Sequence, residues 1–262
     1  LIKAKKSLGQ NFLIDKNIIE KIIDSVEIEG KSILEIGPGT GNLTKNILEK
    51  KPKKLIVIEK DNELAKLLNK DFGEKIKIIN DDVLKVDENK LDSNVLTVFG
   101  NLPYNISTEI LCSWILNIKN NNFWFNSLIL MFQKEVADRI IAEFNTKNYG
   151  RLSILSNWKL DIVKICDVKP SSFSPKPKIE SSVLIMKPKI DFFNLKDPKN
   201  LEKLTRVFFM HRRKMLKKPY NQMFNGSLDT ANKLKIDLNL RPQNLNMETY
   251  YELTREYENL RG

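Results

Sequence analysis

Histidine and cysteine are nearly missing from this chain: 262 residues include one histidine and two cysteines, Cys112 and Cys166, in unrelated segments. That excludes a zinc site built of Cys and His, and two distant thiols form no disulfide framework. No metal is expected, and the reading is of a cytosolic chain with two buried thiols. Long apolar runs are missing too. No stretch approaches the roughly 20 apolar residues that a bilayer-spanning helix needs. The basic start, Leu1 to Lys6, leads into Gly9-Gln10-Asn11-Phe12 rather than an apolar signal core, so a cytoplasmic location is expected. The chain does not open on Met, and a few upstream residues are expected to be absent. Internal repeats and low-complexity tracts are absent as well.

What the chain has is charge and short apolar runs. At 41% hydrophobic and 29% charged it can bury a proper core. Lys plus Arg number 44 against 33 Asp plus Glu, a net +11. Such an excess favours polyanions by counterion release and long-range attraction, although a lysine-rich coding bias produces the same balance. Apolar residues at helical spacing predict a first helix over Lys16–Val26. Strands are then expected at Ser32–Ile36, Leu55–Ile58, Ile76–Ile79 and Val95–Phe99, with helices at Asn42–Lys50 and Asn62–Asn69. Strands alternating with amphipathic helices mean βαβ units and a parallel sheet covered on both faces. Later strands at Ser127–Phe132, Leu160–Cys166 and Ser181–Met186 suggest an antiparallel end to that sheet. After Lys187-Pro188 the texture becomes helical, with helices over Asn200–Lys218, Asp229–Lys235 and Met247–Leu260. The expected fold class is α/β, a Rossmann-like doubly wound sheet, mostly parallel with an antiparallel edge. Residues 1–188 are expected to form it, and residues 189–262 a small helical domain.

Acidic or amide residues close the first four strands, where ligands bind in an open parallel sheet. The first turn reads Glu35-Ile36-Gly37-Pro38-Gly39-Thr40-Gly41. Glycines there permit a tight turn and close backbone approach, and the next helix points its N-terminus at the ligand. A dinucleotide fingerprint requires its third glycine where Asn42 stands. The turn resembles instead the Glu-x-Gly-x-Gly-x-Gly of methyltransferases, with Gly37, Gly39 and Gly41 against the cofactor. Glu59, 18 residues after Gly41, can accept two ribose hydroxyls. Asp82 can hold a nucleobase amine. Read singly, Glu59 is a loop acid (Asp61 being the better helix cap) and Asp81-Asp82 a solvated turn; as an ordered set they point to a nucleoside cofactor.

Asn101-Leu102-Pro103-Tyr104 ends the fourth strand. Pro103 fixes its own φ and biases Leu102 toward extended backbone. The turn can therefore present the Leu102 carbonyl and the Asn101 side-chain oxygen as two fixed acceptors. An adenine amine is a poor nucleophile because its lone pair is delocalised into the ring. Two acceptors on its hydrogens favour the geometry that returns the lone pair to nitrogen, and a positioned methyl sulfonium then needs only in-line approach. No side chain titrating near neutrality is required, which suits the scarcity of histidine. Tyr104 offers a stacking face worth about 1–3 kcal/mol per base. An isolated N-x-P-Y would instead be a turn whose Tyr packs into the core.

These segments resemble the rRNA adenine N-methyltransferases, and within them the branch that dimethylates small-subunit rRNA. The resemblance runs nearly end to end. It takes in Gly9-Gln10-Asn11-Phe12-Leu13, Glu35 to Gly41, Gly100 to Ser107, Gln133 to Val136, Tyr149 to Leu152, Phe173-Ser174-Pro175-Lys176-Pro177-Lys178 and Arg212-Arg213-Lys214. It implies S-adenosylmethionine as cofactor, with Asn11, Leu13, Gly37, Glu59, Asp82 and Asn101 lining its pocket. It implies methyl transfer to two adjacent adenines near the 3′ end of small-subunit rRNA in a pre-ribosomal particle, by a monomer. Phe173 would sandwich a flipped adenine against Tyr104, extrusion being a requirement for any base held in a duplex. Lys3, Lys5 and Lys6 at the front, and Arg206, Arg212, Arg213, Lys214, Lys217 and Lys218 in the helical domain, could clamp RNA phosphates, the three N-terminal lysines reading equally well as a solvated charged face. The nearest rival is the large-subunit, erythromycin-resistance branch. A non-catalytic RNA-binding relative would have an eroded glycine turn or Asn101 corner, and both are intact.

Overall fold

The computed structural model describes residues 4–5, 9–118 and 122–261. Strand β1 (Phe12–Leu13) leads to α1 (Lys16–Ile23), which starts where the Asp15 carboxylate accepts the Asn17 and Ile18 N–H groups. That cap satisfies amides with no partner inside the helix. The helix buries Ile19, Ile22 and Ile23 and ends short of the expected Val26, which packs half-buried against the core beyond it. Then come β2 (Ser32–Ile36), α2 (Asn42–Glu49), β3 (Lys54–Ile58), α3 (Asn62–Phe72), β4 (Lys77–Ile79) and β5 (Leu96–Asn101). All five residues of β2 are buried, as a strand covered on both faces must be. Each such Ile or Leu contributes about 1.5–3 kcal/mol by leaving water.

The remaining elements are α4 (Ser107–Asn117), β6 (Phe125–Gln133), α5 (Lys134–Ile140), α6 (Arg151–Lys159), β7 (Leu160–Val168), β8 (Phe173–Ser174), β9 (Ser181–Pro188), α7 (Pro198–Met210), α8 (Lys217–Phe224), α9 (Asp229–Lys233) and α10 (Met247–Asn259). Seven strands form one sheet in the order β4-β3-β2-β5-β6-β9-β7, and β1 pairs with β8 in a small separate ribbon. The β4-β3-β2-β5-β6 run is parallel, whereas β9 lies antiparallel to β6. The sheet is thus Rossmann-like, mostly parallel with an antiparallel portion. Its strand order reverses at β2, which has β3 on one side and β5 on the other. The crevice beyond the C-terminal ends of β2 and β5, where Ile36 sits beside Gly100, is the topological switch point.

The chain divides into two compact units. Residues 1–111, 118–137 and 161–188 hold the sheet; 112–117, 138–160 and 189–262 make the helical unit. A single cut at residue 188 therefore misses the segments that join the C-terminal helices. In the helical unit α6 packs on α7 and α10, and nearly all its residues are buried, so no amphipathic stripe marks it. The Tyr251 hydroxyl donates to the Ile154 carbonyl, and the Trp158 indole to that of Phe193. The one helix expected over Asn200–Lys218 is two. α7 stops at Met210, and α8 restarts at Lys217, with Pro219 in its first turn, the part of a helix that tolerates a missing N–H. Arg212, Arg213 and Lys214 consequently lie in the turn between helices. Cys112 and Cys166 are free and only half-buried. Among the described residues no helix is long and apolar enough to cross a membrane.

Candidate active site

A pocket opens at the switch point, entirely within the sheet-bearing unit. Its lining includes Asn11, Leu13, Gly37, Gly39, Glu59, Asp82 and the corner Asn101 to Tyr104. Its floor is the turn after β2. Gly37, Gly39 and Gly41 all have positive φ, a region L side chains rarely adopt. A Cβ on Gly39 would stand 2.7 Å from the Phe12 ring, so that backbone and that ring are in direct contact. Gly41 departs from expectation. It caps α2, and a Cβ there would meet Phe72 at 2.6 Å, on the packed side of the turn rather than in the pocket. Thr40 and Asn42 line the pocket where Gly41 does not.

Glu59, one residue past β3, is 6% exposed. Its Oε2 accepts the Gly39 N–H at 3.2 Å and its Oε1 the Asp61 N–H at 2.8 Å. Burial lifts its carboxyl above the usual range, and these backbone donors pull it part of the way back. Each oxygen keeps a further lone pair for a ligand hydroxyl. Deeper in, Glu35 receives the Thr44 hydroxyl at 2.7 Å, and full burial pushes it up to about 8. Asp82 faces the pocket, with Oδ2 paired to Lys60 at 2.7 Å and Oδ1 accepting the Leu84 N–H. The Lys60 bond, opposed in part by burial, holds its carboxyl below the usual value.

The Asn101 corner follows β5. The Pro103 carbonyl accepts the Ile106 and Ser107 N–H groups at 3.1 and 3.0 Å, which ties the turn to the start of α4. Leu102 is buried, and a Cβ on Gly100 would stand 3.0 Å from it. The Asn101 Nδ2 donates to the Asn11 carbonyl at 2.9 Å. A carbonyl only accepts, so this bond fixes which way the amide is turned and leaves Oδ1 as the acceptor for an incoming donor. Tyr104 is half-buried; its hydroxyl bonds Ser181 Oγ, the first residue of β9. Ser181 and Gln10, which also lines the pocket, are site residues that sequence reasoning passed over.

A ribosomal RNA adenine dimethylase family model matches residues 1–259. The chain belongs to that family. It is 66% identical over 261 residues to a ribosomal RNA small subunit methyltransferase A of Pelagibacter ubique (strain HTCC1062), covering 100% of this chain and 99% of the relative. The enzyme of the same name from Wolbachia sp. subsp. Drosophila simulans (strain wRi) is 44% identical, with 98% and 95% coverage. Among solved structures, a dimethyladenosine transferase from Plasmodium falciparum superposes with a TM-score of 0.80 at 27% identity, over 95% of this chain and 98% of that one. The 23S rRNA methyltransferase ErmE, at 20% identity and a TM-score of 0.69 over 95% and 100% of the two chains, shares the fold.

Against that family pattern some expected site residues stand elsewhere. Phe173 is 1% exposed and does not line the pocket. It pairs with Leu13 across the β1–β8 ribbon and packs in the core with Met131 and Val183, so its ring presents no face to an incoming base. Lys5 spends its amine on Asp61, at 2.9 Å, instead of projecting freely toward a phosphate. Lys3 and Lys6 lie outside the described residues. Arg206, Arg213 and Lys214 are exposed on the helical unit. Arg212 is half-buried: its guanidinium donates to the Gln243 side chain at 3.2 Å and to the Thr146 carbonyl at 3.1 Å, bracing one loop against another.

Proposed function

We propose that the pocket holds S-adenosylmethionine and that the chain methylates the exocyclic amine of two adjacent adenines near the 3′ end of small-subunit rRNA, giving dimethyladenosines during ribosome maturation. The donor set fits the cofactor. A buried carboxylate with spare lone pairs suits a ribose diol, the glycine turn leaves room for close backbone approach, and the apolar walls of Ile58, Val83 and Leu84 suit a purine. When bound, the cofactor supplies an electrophilic methyl group on a sulfonium.

The chain's own residues do the rest. Asn101 Oδ1 and the Leu102 carbonyl accept the two hydrogens of the adenine amine and favour the pyramidal nitrogen whose lone pair is free to react. Tyr104, its ring angle set by Ser181, stacks on the base. Fixed acceptors cost nothing to reorganise at the moment of reaction, the main source of power in preorganised sites. No general base is needed, because the methylated amine is acidic. The observation that carries this reading is the Asn101 amide, turned by Asn11 beside the glycine turn.

Asn101→Ala should abolish methyl incorporation into small-subunit particles while leaving cofactor and RNA binding largely intact; normal turnover in that variant would refute the role. Arg206, Arg213 and Lys214 supply RNA phosphate contacts, in a cytoplasmic monomer. Methylation of small-subunit against large-subunit precursor particles in vitro separates this substrate from that of the erythromycin-resistance branch.

A further inference from the structure

Residues Gly9 to Leu13 form a strap along the pocket, and the strap is tied at both ends. At one end the Gln10 Nε2 donates to Asp61 Oδ2 at 3.0 Å, the Lys5 amine bonds Asp61 Oδ1 at 2.9 Å, and the Lys5 N–H donates to Gln10 Oε1 at 2.7 Å. Asp61 is a hub: it also caps α3 through the Glu63 N–H and gives its own N–H to Glu59. At the other end Phe12 and Leu13 pair with Ser174 and Phe173, and the Asn42 side chain donates to the Leu13 carbonyl at 2.8 Å. Between these ties hangs the Asn11 carbonyl, the group that turns Asn101.

An asparagine amide is nearly symmetric in shape, and a half-turn about its last torsion exchanges oxygen for nitrogen. Turned the wrong way, Asn101 would aim N–H at the amine hydrogens of the target, donor against donor. Only an acceptor held at a fixed place prevents this. Gln10 meets the geometry in a way its nearest substitutes cannot. Glutamate would set a carboxylate against Asp61, and asparagine is one methylene shorter, with less reach to serve Asp61 and the Lys5 N–H together.

We propose that Gln10 is a positioning residue. By latching the strap to Asp61 it fixes the Asn11 carbonyl that orients Asn101, and it ties that orientation to the Glu59 side of the pocket. The inference rests on the roles given above to Asn101 and Glu59.

The test uses the full chain with small-subunit particles and radiolabelled S-adenosylmethionine, measuring kcat, RNA KM, cofactor Kd and Tm. Gln10→Met keeps the length and loses both bonds; kcat should fall about tenfold or more with both substrates saturating, since small misplacements of reacting groups have effects of that size. RNA KM and Tm should move little. Gln10→Glu should be worse, from carboxylate repulsion, and adding Asp61→Asn should restore much of the loss, because an amide then faces the new carboxylate. A Gln10→Met enzyme with normal kcat overturns the proposal, and so does a double variant as poor as Gln10→Glu alone. Asn101→Ala run alongside separates the failures. If it too turns over normally, the reading of the corner is wrong; if it is dead while Gln10→Met is normal, only the latch is wrong. Should Gln10→Met fail to fold, the Gln10→Glu and double-variant pair still decides the matter.

Discussion

Replacing Glu35 by Gln should make the sheet-bearing unit more stable at neutral and alkaline pH, and the size of the gain follows from burial. Glu35 is 2% exposed, accepts the Thr44 hydroxyl and sits near Glu59; burial above all pushes its carboxyl up from 4.5 to about 8. The folded state binds this proton more tightly than the unfolded chain does. The associated stability is fully present below pH 4.5 and is lost as pH rises through about 8. At about 1.4 kcal/mol per pH unit the whole interval is worth about 5 kcal/mol, and about 3 kcal/mol of it has gone by pH 7. Glutamine keeps an acceptor for Thr44 and carries no charge, so the variant should lack this dependence. For a chain of this size about 3 kcal/mol corresponds to several degrees in Tm. Calorimetric scans of both proteins from pH 5 to 9 check it. The wild-type Tm should fall toward alkaline pH relative to that of Glu35→Gln, and the curves should converge near pH 5. Parallel curves would refute the reasoning, since the proton would then reside elsewhere.

Gly39→Ala should lose cofactor affinity in calorimetry and lower Tm, because its Cβ would lie 2.7 Å from the Phe12 ring at a φ of +57°; unchanged affinity would show that the turn yields. Ser181→Ala and Tyr104→Phe remove the same hydrogen bond, so each should impair methylation similarly and the pair should be no worse than either; additive losses would deny the coupling. Arg213→Ala should weaken RNA binding and make its salt dependence shallower by about one counterion. Arg212→Ala should instead lower Tm slightly, through loss of its bonds to Gln243 and to the solvent-exposed Thr146 carbonyl, each worth at most about 0.5–1.5 kcal/mol of stability. A salt-slope change with unaltered Tm would return Arg212 to the RNA surface.

The sequence by itself determined the sheet and the address of the site. Strands such as Ser32–Ile36 and Leu96–Asn101 are short apolar runs ended by Gly, Asn or acid, and a parallel sheet places such ends together wherever its order reverses. The glycine turn and the Asn101 corner were legible because their chemistry is local: positive φ calls for glycine, and Pro103 restricts its neighbours. What sequence could not carry was anything set by contacts distant along the chain. Helix α6 is buried almost all round, so it shows no periodic stripe, and only packing assigns it to the helical unit. Phe173 reads the same whether it stacks on a base or fills a core; its pairing with Leu13, 160 residues away, decided for the core. The bond between Asn101 and the Asn11 carbonyl spans 90 residues, as invisible to spacing as the Gln10–Asp61 tie beside it. Spacing along a chain fixes torsions and the faces of elements; which acceptor turns which amide is fixed only when the folded chain brings them within 3 Å.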